Sequence, residues 1–135
     1  MQYLLDTNIV SEPIRLRPNP LVLQRIKEHA GEVATASVAL HELLHGLYRL
    51  PASESRDRLA AYLENDVRGT MPILPYDEEA ARWHAAERAR LFQKTPPYVD
   101  GQIAATAVSH GLILVTANVK HFAPFKGLKV ENWTK

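Results

Sequence analysis

The sequence predicts an α/β fold in which a parallel sheet is covered by helices on both faces. Short apolar runs alternate with segments of helical period all along the 135 residues. The runs are continuous and lack strict polar–apolar alternation, as strands buried on both faces require. No internal repeat, low-complexity run or long linker divides the chain, so residues 1–135 are expected to form one domain.

The elements follow in order. Tyr3, Leu4 and Leu5 carry a first strand over Gln2 to Leu5, ending in the carboxylate of Asp6. Thr7 to Pro18 is polar and proline-bearing and reads as a flexible stretch. Asn19 caps a helix with Pro20 at its first position; Val22, Leu23, Ile26 and Ala30 make its apolar stripe, and Gly31 stops it. Val33 to Ala36 is a second strand. Ser37 then caps a helix carrying Val38, Leu40, Leu43, Leu44 and Leu47, ended by Pro51. A further helix is expected from Ser53 to about Val67, with Leu59, Tyr62, Leu63 and Val67 on one face. Met71 to Leu74 is a short strand. Asp77 opens a long polar helix with acids in its first turn and Arg88, Arg90 and Lys94 towards its end, matching the helix dipole. Pro96 and Pro97 interrupt it. A helix from about Tyr98 to His110 stops at Gly111, a buried strand spans Leu112 to Val115, and a weak one spans Leu128 to Glu131.

Composition excludes several function classes. There is no cysteine, so disulfides, thiolate zinc sites and cysteine nucleophiles are ruled out, and a reducing cytoplasm suits the chain. Met1 to Asp6 lacks the features of a secretory signal, and no apolar run approaches ~18 residues, so no membrane association is expected. The net charge is +1 and the pI is near 8.1, which is mild for a nucleic-acid binder. A polyanion would have to be held by a local patch or by a metal.

Ligands of open parallel sheets bind beyond the carboxyl ends of the strands. Asp6 lies directly after the first strand, Asn118 just past the strand ending at Val115, and Asp100 in the first turn of the helix before that strand. Glu42 lies in the helix after the second strand, among Leu40, Leu43, Leu44 and Leu47, where a carboxylate is costly unless paired or bound to a cation. Acids sharing a small volume repel one another, and a divalent ion relieves that. With no thiolate available, a hard, oxygen-ligated ion such as Mg²⁺ is favoured. Such an ion lowers the pKa of a bound water and polarises a phosphodiester. Each acid also has a plainer account. Asp6 could cap the turn near Asn8, Asp100 could merely suit the helix dipole, and Glu42 could face solvent.

Four segments resemble the motifs of PIN domains. They are Leu5-Asp6-Thr7-Asn8, Glu42-Leu43-Leu44-His45-Gly46, Asp100-Gly101-Gln102-Ile103-Ala104-Ala105, and Val115-Thr116-Ala117-Asn118 followed by His121-Phe122. Each is short, but their order and spacing match from Leu5 to about Trp133. Ser11-Glu12-Pro13 and the ending Leu128 to Trp133 are similar to the VapC toxins, including the FitB-like branch. The resemblance implies a three-layer α/β/α fold with strand order 3-2-1-4-5. It implies an Mg²⁺- or Mn²⁺-dependent endoribonuclease acting as the toxin of a toxin–antitoxin pair. It further implies a homodimer and a VapB-like antitoxin that blocks the site, with operator DNA reached only through that antitoxin. By position, Asp6 and Asp100 would ligate the metal, Glu42 would ligate it or orient its water, Asn118 would complete the cluster, and Thr116 and Asn8 would organise it. The chain departs from many relatives in having no acid at Asn118 or His121, which weakens the case for a second ion.

Two other readings compete. A PIN-like module without catalysis would bind RNA or a partner only. His41-Glu42-Leu43-Leu44-His45 is the zinc-protease pattern. However, Tyr48 and Pro51 stand where its extended form needs glycine and histidine, and it leaves Asp6 and Asp100 unexplained; Glu64 is a conceivable third ligand. Lys120, His121, Arg88 and Arg90 are candidate RNA contacts, with solubility as the plain alternative. Trp83, Phe122, Phe125 and Trp133 are expected in the core. Leu59, Tyr62, Leu63 and Val67 could form a partner surface or simply pack within the domain.

Overall fold

The computed structural model describes residues 1–135. Its strands are β1 (Tyr3–Leu5), β2 (Val33–Ala36), β3 (Ile73–Leu74), β4 (Ile113–Val115) and β5 (Val130–Glu131). All pair in parallel, in the order β3-β2-β1-β4-β5. The helices are α1 (Thr7–Val10), α2 (Pro20–Glu28), α3 (Ser37–Arg49), α4 (Glu54–Ala61), α5 (Glu78–Leu91), α6 (Tyr98–Ser109) and α7 (Val119–Phe122). None is long and apolar enough to cross a membrane.

The helix signals act as read in three places. The side chain of Asn19 accepts from the N–H groups of Leu21 and Val22, that of Ser53 from Arg56, and that of Asp77 from Ala80. Ser37 does not cap: α3 begins on it, and Ala36 precedes it in extended backbone.

Two segments differ from expectation. Thr7 to Pro18 is not a flexible stretch. It folds into α1 and a 3₁₀ turn over Glu12–Ile14, burying Ile9, Val10 and Glu12. The Ser53–Val67 helix is not uniform, for after Ala61 it widens into a π-helix over Tyr62–Val67. Leu63 and Val67 are buried in the core, and the Tyr62 hydroxyl donates to the Val10 carbonyl (2.5 Å). This face packs inside the domain and is not a free partner surface.

Side-chain alternation along β1 divides the core between the two faces. Tyr3 and Leu5 pack with Val22, Leu47, Leu63, Val67 and Trp133 under α2, α3 and the π-helix. Leu4 packs with Ala34, Ile103, Ala107, Leu114 and Phe122 under α6 and α7. Phe122, Phe125 and Trp133 are core residues as expected. Leu114 is fully buried in β4. Leu114→Ala should therefore cost about 2–5 kcal/mol, read as a lower urea midpoint with an unchanged slope.

The topology positions the site. The chain passes from β1 through β2 to β3 on one side, then returns to lay β4 and β5 on the other. The switch point lies between the carboxyl ends of β1 and β4, where crevices form in such sheets.

Candidate active site

Asp6 and Thr116 are the residues that follow β1 and β4 into that crevice. The Asp6 N–H makes the last sheet bond, to the Val115 carbonyl (2.9 Å). Its side chain turns back into the protein and is only 5% exposed. Oδ1 accepts the Thr7 N–H (2.8 Å). Oδ2 accepts the Thr116 hydroxyl (2.7 Å) and the Asn8 amide (3.3 Å). Asn8 is a strut between the two strand ends, since its Oδ1 also accepts the Ala117 N–H (3.2 Å). Thr116 in turn accepts the Asn118 N–H on Oγ1 (3.0 Å).

Burial raises the Asp6 carboxyl above its ordinary pKa. The bonds from Thr116 and Thr7 oppose that rise, and the charges of Asp100 and Glu42 add to it. The charges of α3 and α6 thus reach the carboxyl at the end of β1. Glu42 is not sunk in an apolar stripe: Leu43, Leu44 and Leu47 face the core and Glu42 is exposed. Its Oε1 accepts the Thr7 hydroxyl (2.6 Å). Thr7 thus holds two carboxylates, one through its backbone and one through its side chain. The signal for this in the sequence is a hydroxyl residue directly after an acid at a strand end.

Asp100 sits in the first turn of α6. His121 Nδ1 lies 3.4 Å from its Oδ2, which places His121 beside the acids. Asn118 enters through its backbone N–H; its exposed side chain makes no capping bond to α7. Alongside, Ser37, Val38, His41, Glu42, Val99 and Gln102 line a cleft of about 310 Å³ between α3 and α6. The more apolar cavity of about 320 Å³, lined by Leu5, Val10, Ile26, Tyr62 and Met71, contains none of the three acids.

Nowhere do three acidic or histidine side chains converge into a closed cage. That geometry does not suit zinc, which takes three or four direct protein ligands. Mg²⁺ asks less of the protein, since it keeps several waters and uses one or two carboxylates. The raised Asp6 carboxyl, with two further negative charges acting on it, is the kind of group such a cation relieves. His41 and His45 are exposed on α3 with ring centroids 6.5 Å apart. Glu64 pairs with Arg68 (2.8 Å) and Glu42 with Thr7, so the zinc-protease pattern gathers no third ligand.

The basic candidates differ in their surroundings. Lys120 is exposed. The Arg88 guanidinium lies 4.9 Å from the centre of the Tyr98 ring. Arg90 forks onto both oxygens of buried Glu87 (2.8 Å each) and donates to the Pro124 carbonyl (2.9 Å). This ties α5 to the segment after α7.

A family model described as PIN domain matches residues 3–125. The chain is 36% identical over 135 residues to Ribonuclease VapC2 of Haemophilus influenzae, covering 98% of each. It is 34% identical over 136 residues to the tRNA(fMet)-specific endonuclease VapC of Shigella flexneri, covering 99% of each. Its fold superposes on a chain of DNA-bound VapBC from Salmonella typhimurium with a TM-score of 0.85, at 28% identity and 98% coverage of both.

Proposed function

The chain belongs to the PIN-domain family, and on that premise we propose that it is the ribonuclease toxin of a toxin–antitoxin pair, a single PIN domain over residues 1–135. Asp6 and Asp100 would hold one divalent ion, Mg²⁺ or Mn²⁺, and Glu42 would ligate it or orient its water. The observation that carries this is Asp6, a buried carboxylate fixed by three donors and raised by the charges of Asp100 and Glu42. Its nuclease activity, the hydrolysis of phosphodiester bonds, follows the relatives named as ribonucleases.

When bound, such an ion supplies a low-pKa water and polarises the phosphodiester. The chain's own groups do the rest. Thr7, Asn8 and Thr116 hold the Asp6 oxygens in one orientation. Glu42, anchored through Oε1, presents its carboxylate to the cleft and can take the proton of the attacking water there. His121, exposed beside Asp100, contacts the substrate phosphate. Lys120 and Arg88 meet the RNA backbone, whereas Arg90 is committed to Glu87. With Asn118 and His121 in place of acids, the site suits one ion better than two.

The partner is a VapB-like antitoxin that covers this site, and DNA is approached only through it, as the DNA-bound VapBC neighbour suggests. The protein works as a homodimer in the cytoplasm. Transfer RNA is the first substrate to offer, given the name of the Shigella relative.

The test is to strip the protein with chelator, add transfer RNA or total RNA, and restore Mg²⁺ or Mn²⁺. Cleavage should return with either ion and fall at least about 100-fold in Asp100→Asn, whose circular dichroism should match the wild type. Undiminished cleavage in excess chelator, or in Asp100→Asn, would remove the metal-site reading.

A further inference from the structure

We infer that His84 is a positioning residue for Asp100, acting as a steric stop against the bare backbone of Gly101; the inference rests on Asp100 belonging to the metal-holding set. His84 lies on α5 and is 1% exposed. Its Nε2 is the one buried side-chain polar atom with no hydrogen-bond partner. The ring is pinned on its other sides. Nδ1 is 3.0 Å from the Tyr76 hydroxyl, and the Tyr76 and Tyr98 rings lie 5.9 and 5.0 Å away, centroid to centroid.

The orphan nitrogen points at Gly101, the residue after Asp100. A Cβ built on Gly101 would lie 2.1 Å from Nε2, 2.8 Å from Cδ2 and 2.9 Å from Cε1. Gly101 is helical and carries no positive φ, so backbone conformation does not call for glycine. Glycine inside a helix is a liability; here its use is the close approach. The neutral imidazole suits this contact when Nδ1–H donates to Tyr76 and the Nε2 lone pair receives the Gly101 Cα–H. Burial and the nearby Arg88 charge hold the imidazole below its ordinary pKa, which favours that neutral form.

Val99, in the first turn of α6, packs against the core, and Gly101 in the same turn meets the His84 ring. Pro97 occupies the capping position and supplies no side-chain bond. The seat of the turn on the His84 ring therefore sets where Asp100 stands. Ordinary contacts begin near 3.4 Å, so a methyl on Gly101 must displace something by more than about an ångström. The ring is buried and held at Nδ1 by the Tyr76 hydroxyl, so the turn yields and takes Asp100 with it. Displacements of that size cost about 100-fold in rate when they fall on reacting groups.

The experiment compares wild type, Gly101→Ala and the double variant Gly101→Ala/His84→Ala in Mn²⁺-dependent RNA cleavage. Gly101→Ala should lower kcat about 10- to 100-fold and raise the half-saturating Mn²⁺ concentration, with the KM for RNA little changed. Removing the ring should make room for the methyl and recover part of kcat, the remainder staying lost with the seat that the ring provides. Wild-type kcat and Mn²⁺ dependence in Gly101→Ala would overturn the inference, as would a double variant no better than the single one. If Gly101→Ala fails to fold, a folded and active double variant supports the inference, and a misfolded or inactive one overturns it. A wild-type chain that neither cleaves RNA nor binds Mn²⁺ would sink the ribonuclease reading instead. In that case ¹⁵N spectra of the histidine rings decide the contact: His84 should show protonated Nδ1 and bare Nε2, and the opposite tautomer would refute it.

Discussion

Asp6→Asn is expected to abolish RNA cleavage and, in the absence of divalent ions, to raise the melting temperature of the protein. The two effects have one cause. Asp6 is buried at the end of the central strand, and its carboxyl is raised by that burial and by the charges of Asp100 and Glu42. A carboxyl raised in the folded state binds a proton more readily there than in the unfolded chain. Its contribution to stability is therefore present at low pH and is lost as pH rises from the unfolded value of about 3.9 through the folded one. At neutral pH the ionised group opposes folding. The amide removes that opposition, with a rise of about 2–5 °C for a domain of this size. It keeps an acceptor for the Thr7 N–H, and the Thr116 hydroxyl can turn to receive its N–H, while the long Asn8 bond to Oδ2 is lost. A divalent ion should stabilise the wild type in the same way, more at pH 7.5 than at pH 4.5, and should leave Asp6→Asn unmoved. The loss of cleavage should reach about 1,000-fold, since removing a metal ligand forfeits several kcal/mol of transition-state stabilisation. Thermal melts with and without Mn²⁺, beside a cleavage assay, read all of this. A variant that melts lower without metal, or still gains stability from Mn²⁺, would show that Asp6 is a structural cap and no ligand.

Much of the frame behind this site was legible, for identifiable physical reasons. A strand buried on both faces must be continuously apolar, so Tyr3–Leu5 and Val33–Ala36 read directly. Asn19, Ser53 and Asp77 announced their helices because capping is a local interaction. What escaped depends on neighbours remote in sequence. The α1 turn is four residues long, too short to show a period, and its Ile9 and Val10 pack into the core with residues distant in sequence. The π-helical Tyr62–Val67 segment follows an ordinary α-helical pattern and carries no composition of its own; its widening accompanies tertiary contacts such as Tyr62 with Val10. Glu42 stands among leucines in the sequence, yet one residue is 100° of helical turn, enough to carry it from the core face to the cleft. Nothing beside Gly101 in the sequence hints that a ring from α5 fills the space its side chain would need. The motif residues revealed which acids belong together, and the strand ends revealed where; the donors that orient them needed the fold.

Thr116→Val should separate the role of those donors from the role of the acids. Thr116 is fully buried, so the isosteric valine keeps the packing and removes only the hydroxyl. Asp6 Oδ2 would retain the Asn8 amide at 3.3 Å as its one donor. The Thr116 bond lowers the Asp6 pKa, so its loss should lift that pKa further. Cleavage needs Asp6 ionised if it holds the cation. The acid limb of the pH–rate profile should therefore move to higher pH, with about tenfold less activity near neutrality and recovery as pH rises. Stability follows the same sign. A hydrogen bond to a charged group contributes about 1.5–3 kcal/mol, so the valine variant should be weaker than wild type by that order above the Asp6 pKa. The gap should narrow as pH falls and the protonated carboxyl ceases to need the donor, the remainder being the Asn118 N–H that loses its acceptor. Thr116→Ser keeps the hydroxyl and loses a methyl, so it should hold the wild-type pH profile while losing some packing. If serine proved the more damaging substitution and valine left the acid limb in place, Thr116 would be a packing residue, and the orientation of Asp6 would rest on Thr7 and Asn8 alone.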